Sequence, residues 1–131
     1  MATRMREKTE KRLQEKDKRP SARVKYVRIS PAKVRVVLNT VRGKSVNEAL
    51  SSLALTPKAA SEVVYKLIKS ATANAENNLG LARADLFVAE IYADGGPTLK
   101  RVQPVSKGRA YRINKRTSHI TVILDTVKEV K

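Results

Sequence analysis

The chain has 131 residues, enough for one small domain with extensions and too few for a second sizeable core. Twenty-eight Lys and Arg stand against twelve Asp and Glu, a formal net charge of +16 that points to a polyanionic partner and flags nucleic acid. The chain contains no cysteine, which excludes a disulfide framework, a thiolate metal site and a catalytic thiol, and no apolar run approaches the roughly 18 residues of a spanning helix.

Residues 1 to 21 read as a basic N-terminal arm. Charges of both signs run through it, Leu13 is its one large aliphatic residue, and Arg19-Pro20-Ser21 closes it with a helix-breaking signal. Glu7 precedes Lys11 by four residues, so a fraying helix and a solvated tail both fit. The arm lacks the apolar middle of a secretory signal, and the chain reads as cytoplasmic with no membrane partner.

From Ala22 the pattern changes. Arg23-Val24-Lys25-Tyr26-Val27-Arg28-Ile29 alternates roughly between polar and apolar and is rich in β-branched residues, which predicts a strand. Ser30-Pro31 supplies a cap followed by proline at the first helical position. Val34, Val37, Leu38 and Val41 then share one face, predicting a helix over 31–42 that Gly43 ends. Ser45 with Glu48 three residues on is a capping box for a short helix bearing Ala49, Leu50 and Leu53. Thr56-Pro57 looks like a second cap-plus-proline start. It opens a longer helix with Ala60, Val63, Val64, Leu67, Ile68, Ala71 and Ala75 on one face, running to about Asn77. The Asn77-Asn78-Leu79-Gly80 stretch stops it, and Leu86 to Tyr92 reads as a mostly apolar strand.

The last segment is unusual. From Thr98 to Leu124 there is no acidic residue, while seven cations occur: Lys100, Arg101, Lys107, Arg109, Arg112, Lys115 and Arg116. Gly108 can take the positive-φ position of a turn near Ser106-Lys107-Gly108, so the segment is predicted to be a β-hairpin pairing Leu99 with Asn114 or Lys115. Arms of eight to ten residues would reach about 30 Å beyond the domain. Pro104 is compatible, because both strands of a free ribbon are edges.

The outer half, Lys100 to Arg112, has too little apolar surface to pack on anything of its own. Two-stranded ribbons are marginal in water, and crowded like charges repel, so an anionic surface is expected to complete this one. Tyr111, between Arg109 and Arg112, is placed to stack on a base or to pack across the ribbon. His119, the single histidine, has neither cysteine nor a sequence-adjacent carboxylate to build a metal site with, and reads as a hydrogen-bonded strand residue or an RNA contact. No phosphate-cradling glycine loop, nucleophile-base pair or paired carboxylate occurs at useful spacing, so no enzyme and no cofactor are expected.

The expected fold class is α+β: three helices packed on a small antiparallel three-stranded sheet, with a long protruding β-hairpin. Residues 22–124 would form a single domain including the hairpin at 97–119, with 125–131 as a C-terminal tail.

Three stretches carry a family resemblance, in order. They are Ile29-Ser30-Pro31-Ala32-Lys33-Val34-Arg35 followed by Val41-Arg42-Gly43, then Ala71-Thr72-Ala73-Asn74-Ala75-Glu76-Asn77-Asn78, and then the run from Lys107 to Val122. Together they resemble the bacterial-type large-subunit ribosomal protein family numbered twenty-two, over about residues 22 to 124. The resemblance implies a structural constituent that binds large-subunit ribosomal RNA, supports subunit assembly and lines the nascent-peptide exit tunnel with its hairpin, near where macrolide antibiotics bind. It implies as partners that RNA, neighbouring large-subunit proteins and the nascent polypeptide, with no homo-oligomer. The candidate RNA contacts are Arg23, Lys25, Arg28, Lys33 and Arg35 on the domain. On and below the hairpin they are Lys100, Arg101, Lys107, Arg109, Tyr111, Arg112, Lys115, Arg116, Ser118 and His119. The tip that would line the tunnel is Gln103, Pro104, Val105, Ser106, Lys107, Gly108 and Arg109. It departs from the commoner family pattern, since Gln103 and Val105-Ser106 stand where basic residues are frequent.

Two other classes compete on charge alone. A DNA-architectural protein also uses basic β-arms with proline, but favours a two-fold dimer with matched arms. A cationic membrane-active protein should carry its charge on helices opposite an apolar face, whereas here the hairpin carries it.

Overall fold

A computed structural model describes residues 2–127; of the expected tail, 128–131 lie outside the described residues. In chain order the elements are α1 (Ala2–Gln14), β1 (Ser21–Val27), α2 (Pro31–Val41), α3 (Val46–Leu55) and α4 (Ala59–Leu79). A 3-10 turn (Arg83–Asp85) leads into β2 (Leu86–Gly95), β3 (Leu99–Pro104), β4 (Ala110–Lys115) and β5 (Ser118–Thr126). The α+β class and the three helices on a three-stranded antiparallel sheet agree with expectation, with α1 as a fourth helix in the arm.

The sheet order is β1-β5-β2, and β3-β4 forms a separate two-stranded sheet. As the central strand, β5 alternates strictly: Ser118, Ile120, Val122 and Leu124 point inward and are buried. They meet Val34, Val37, Leu38 and Val41 of α2, Val46, Ala49, Leu50 and Leu53 of α3, and Ala60, Val64, Leu67, Ile68, Ala71 and Ala75 of α4. Each large aliphatic side chain in this core contributes roughly 1.5–3 kcal/mol.

The caps differ from expectation in detail. Ser45 does cap α3, its hydroxyl accepting from the Glu48 N–H at 3.4 Å. Ser30 makes no side-chain cap bond, so the start of α2 relies on Pro31, whose missing N–H and fixed φ suit the first turn. Thr56 does not open α4; it ends α3, its hydroxyl donating to the Ser52 carbonyl at 2.7 Å, and α4 begins after Lys58. A Thr hydroxyl can bond the carbonyl four residues back, and here it does. Gly80 stops α4 in the left-handed conformation, and the Gly80 and Leu81 amides donate to the Glu76 and Ala75 carbonyls.

β2 is an edge strand, and α2 and the loop after it cover its outer side. Arg35 Nε and Nη2 donate to the Ala93 carbonyl at 3.1 and 2.9 Å, and Arg42 Nη2 donates to the Ile91 carbonyl at 3.0 Å. Further along, the Gly43 N–H donates to Val88 and the Val88 N–H donates to Lys44. The Ile91 and Ala93 carbonyls on this edge are thus satisfied by guanidinium groups, and the Val88 N–H and carbonyl by loop backbone.

At the start of the domain Pro20 is buried, and its carbonyl accepts from the Leu124 N–H at 2.9 Å. Arg19 is clipped between Asp17 at 2.7 Å and Glu90 at 2.8 Å. These charge-assisted bonds hold the Asp17 carboxyl below its ordinary range and raise the Arg19 guanidinium further.

Candidate nucleic-acid interface

The hairpin stands apart from the body. β3 and β4 pair with each other from Leu99↔Lys115 to Pro104↔Ala110, and neither makes an extensive contact with any other element. Each arm has six residues, a paired length of roughly 20 Å at about 3.3 Å per residue, shorter than the eight to ten expected. Continuing β2 and β5 upward would have lengthened it, but the ladder breaks at Gly96–Thr98 and Arg116–Thr117. The Leu99↔Lys115 register falls within the expected choice.

Register also arranges the charge. Lys100 opposes Asn114, Arg101 opposes Ile113, Val102 opposes Arg112 and Leu99 opposes Lys115. Directly opposed like charges destabilise a ribbon, and here every cation of the ladder faces a neutral side chain. Lys100 and Arg112 lie on one face, Arg101 and Lys115 on the other, so both faces are basic.

At the tip, Lys107 and Gly108 have φ of 60° and 69°, and the Arg109 N–H lies 3.5 Å from the Ser106 carbonyl. Two consecutive positive φ values are the backbone of a type I′ turn, whose twist suits a two-residue hairpin link. Glycine was expected at one such position; Lys107 takes the other. The Val105 N–H donates to Arg109 at 2.9 Å below the turn.

Among the described residues no hydrogen bond or ion pair engages the side chains of Lys100, Lys107, Arg109, Arg112, Lys115 or Arg116; Arg101 Nη1 reaches only the neighbouring Lys100 carbonyl. Val102 and Tyr111 are 66% and 64% exposed, so Tyr111 is not consumed by packing across the ribbon.

The remaining candidates divide. Arg23, Lys25, Arg28 and Lys33 are exposed. Arg35 spends two of its donors on the Ala93 carbonyl, so its position is set by the sheet edge. Ser118, expected at the RNA surface, is fully buried and its Oγ has no partner among the described residues, a correction that follows from its inward place in β5. His119 points outward and is half-buried, with Nδ1 accepting from the Tyr26 N–H at 3.0 Å. Alternation along the sequence gives no sign of the bulge that turns Tyr26 outward.

The foot of the hairpin is tightly built. The Gly96 N–H donates to the Thr117 carbonyl at 2.9 Å, and the Thr117 hydroxyl donates to the Pro97 carbonyl at 2.7 Å. A Cβ on Gly96 would collide with Thr117 Oγ1 and sit 3.1 Å from His119 Cε1. Gly96 is therefore required by close approach, and this lock holds the ribbon against the body.

Known proteins share this sequence over most of its length. The family model described as "Ribosomal protein L22p/L17e" matches residues 22–125. A "Large ribosomal subunit protein uL22" from Clostridium kluyveri is 65% identical over 100 residues, covering 76% of this chain and 90% of the relative. Proteins of the same name from Acetivibrio thermocellus and Lachnospira eligens are 58% and 54% identical. Those alignments cover 77% and 84% of this chain and 81% and 86% of the relatives.

Proposed function

This chain belongs to the ribosomal protein L22p/L17e family, a structural and non-enzymatic component of the large ribosomal subunit, and from that premise we propose how it acts there. It binds large-subunit ribosomal RNA, supports folding of that RNA during assembly, and lines the nascent-peptide exit tunnel with the tip Gln103–Arg109. Its partners are the RNA, neighbouring ribosomal proteins and the growing polypeptide, and it works in the cytoplasmic ribosome.

One observation carries this reading: a ribbon with basic side chains on both faces, free of acidic residues, none of whose cations has a partner in the body among the described residues. Such a ribbon is stabilised when phosphates approach from both sides and release their counterions. A membrane surface would approach from one side only, and among the described residues no helix is long and apolar enough to span a membrane.

Competition binding tests the proposal. Deproteinised large-subunit RNA should displace the protein from duplex DNA at moderate salt, and equal affinity for both would return the DNA-architectural alternative. If about seven phosphates are neutralised, affinity falls roughly a thousandfold between about 50 and 200 mM salt. A flat salt dependence would remove the phosphate contacts from the mechanism.

A further inference from the structure

Beside the hairpin foot the backbone does something the core does not require. β1 pairs with β5 as Arg23↔Thr121 and Val24↔Ile120, and then as Val27↔Ser118. Two residues, Lys25 and Tyr26, therefore stand opposite the single residue His119, which is a β-bulge. Tyr26 adopts φ of 58°, a left-handed conformation that a bulky side chain rarely takes. The surrounding structure compensates through His119, whose Nδ1 accepts the Tyr26 N–H at 3.0 Å and whose ring meets the phenol edge-to-face at a centroid distance of 4.8 Å and 88°.

The consequence is a fixed aromatic ring that is 63% exposed. The bulge interrupts the alternation so that Lys25 and Tyr26 are both turned to solvent. Cations surround the ring in the chain and in the register: Lys25 on its own strand, Arg28 just past the strand's end, and Arg116 two residues before Ser118, the partner of Val27. One carboxylate shares the row, Asp94, on the far side of His119 in β2. This row holds no aliphatic side chain for an apolar protein surface to bury. An unpaired nucleobase would find a π-face to stack on, with basic side chains placed for the phosphates on either side of it.

Resting on the RNA-binding reading above, we propose that Tyr26, braced by His119, is a stacking site for one unpaired nucleobase of the large-subunit RNA at the point where the hairpin enters it. Lys25, Arg28 and Arg116 take the flanking phosphates. The bulge and the histidine are positioning devices that hold the ring in advance, so that stacking orders little new protein structure.

The chain contains no tryptophan, so Tyr26→Trp introduces a single indole at the site. Titrated with deproteinised large-subunit RNA, this variant should bind like the parent and show quenched indole emission. Tyr26→Ala should weaken binding about tenfold, the scale of one base-aromatic stack. It should leave the salt slope unchanged, because stacking releases no counterions. Tyr26→Asn, whose side chain tolerates the left-handed backbone, should lose the same affinity with no loss of melting temperature, which separates stacking from folding. Parent affinity in Tyr26→Asn, or an unquenched indole in bound Tyr26→Trp, overturns the stacking site while RNA binding stands. Failure of the unmodified protein to bind this RNA overturns both.

Discussion

β4 and β5 are neighbours in the chain, separated by Arg116 and Thr117 alone, and they are stabilised in opposite ways. In β5 every second side chain enters the core, and both its edges are paired with strands of the body. In β4 only Ile113 is even partly buried, and one edge is paired with β3. β5 exchanges water for hydrocarbon, an arrangement complete within the chain. β4 leaves its charges solvated, spacing them against neutral partners across the ribbon, and waits for a polyanion. Two adjacent strands of similar β-forming content thus divide the work between folding and binding.

The sharpest way to break this division is to place a charge on each side of it. Val37 is among the most buried residues of α2, so Val37→Asp leaves an uncompensated carboxylate in the core. The cost of several kcal/mol should abolish the cooperative thermal transition seen by circular dichroism. A charge change on the hairpin should do the reverse. Arg109→Ala and Arg112→Ala should each weaken RNA binding and lower the slope of log affinity against log salt by roughly one. Their melting temperatures should stay within about 1 °C of the parent. Unchanged RNA affinity in both variants would sink the assignment of the hairpin cations.

Gly96 joins the two regions and should show a mixed effect. Gly96→Ala forces Thr117 and His119 to move, an overpacking cost of about 1–3 kcal/mol. The melting temperature should fall, and RNA affinity with it, because the ribbon loses its fixed departure from the body. A Gly96→Ala protein that binds RNA normally would mean that the RNA alone orients the hairpin.

The smallest effect belongs to the clip at Arg19. Its pairs with Asp17 and Glu90 are exposed to solvent, where ion pairs contribute little. Arg19→Ala should shift the melting temperature by no more than about 3 °C. Because the Asp17 carboxyl is depressed, whatever the clip contributes is present at neutral pH. It is lost only as pH falls below the ordinary carboxylate range and through the lowered value. A pH titration of the parent and Arg19→Ala, followed by melting temperature, checks this sign.

Much of this was legible in the residues. The spacing of Val34, Val37, Leu38 and Val41, the Ser45–Glu48 capping box, the Gly80 stop and the acid-free run after Thr98 are local signals. Each is written within a few residues of the structure it specifies, and together they define the helices, the fold class and the basic hairpin. Caps were less legible, since the Thr56 hydroxyl can bond in either direction and the neighbouring turn decides.

What only the tertiary structure decided concerns groups whose roles depend on distant partners. Arg35 and Arg42 look like surface cations in the sequence, yet both donate to carbonyls of β2, because an edge strand must have its backbone polar groups satisfied by something. Ser118 sits in a polar, basic run but is drawn into the core by the strict alternation of the central strand. Tyr26 is turned outward by a bulge created when two strands far apart in the chain pair out of step. Periodicity and charge are summed along the chain and can be read there. Register and edge satisfaction are settled between segments, and they appear only when those segments meet.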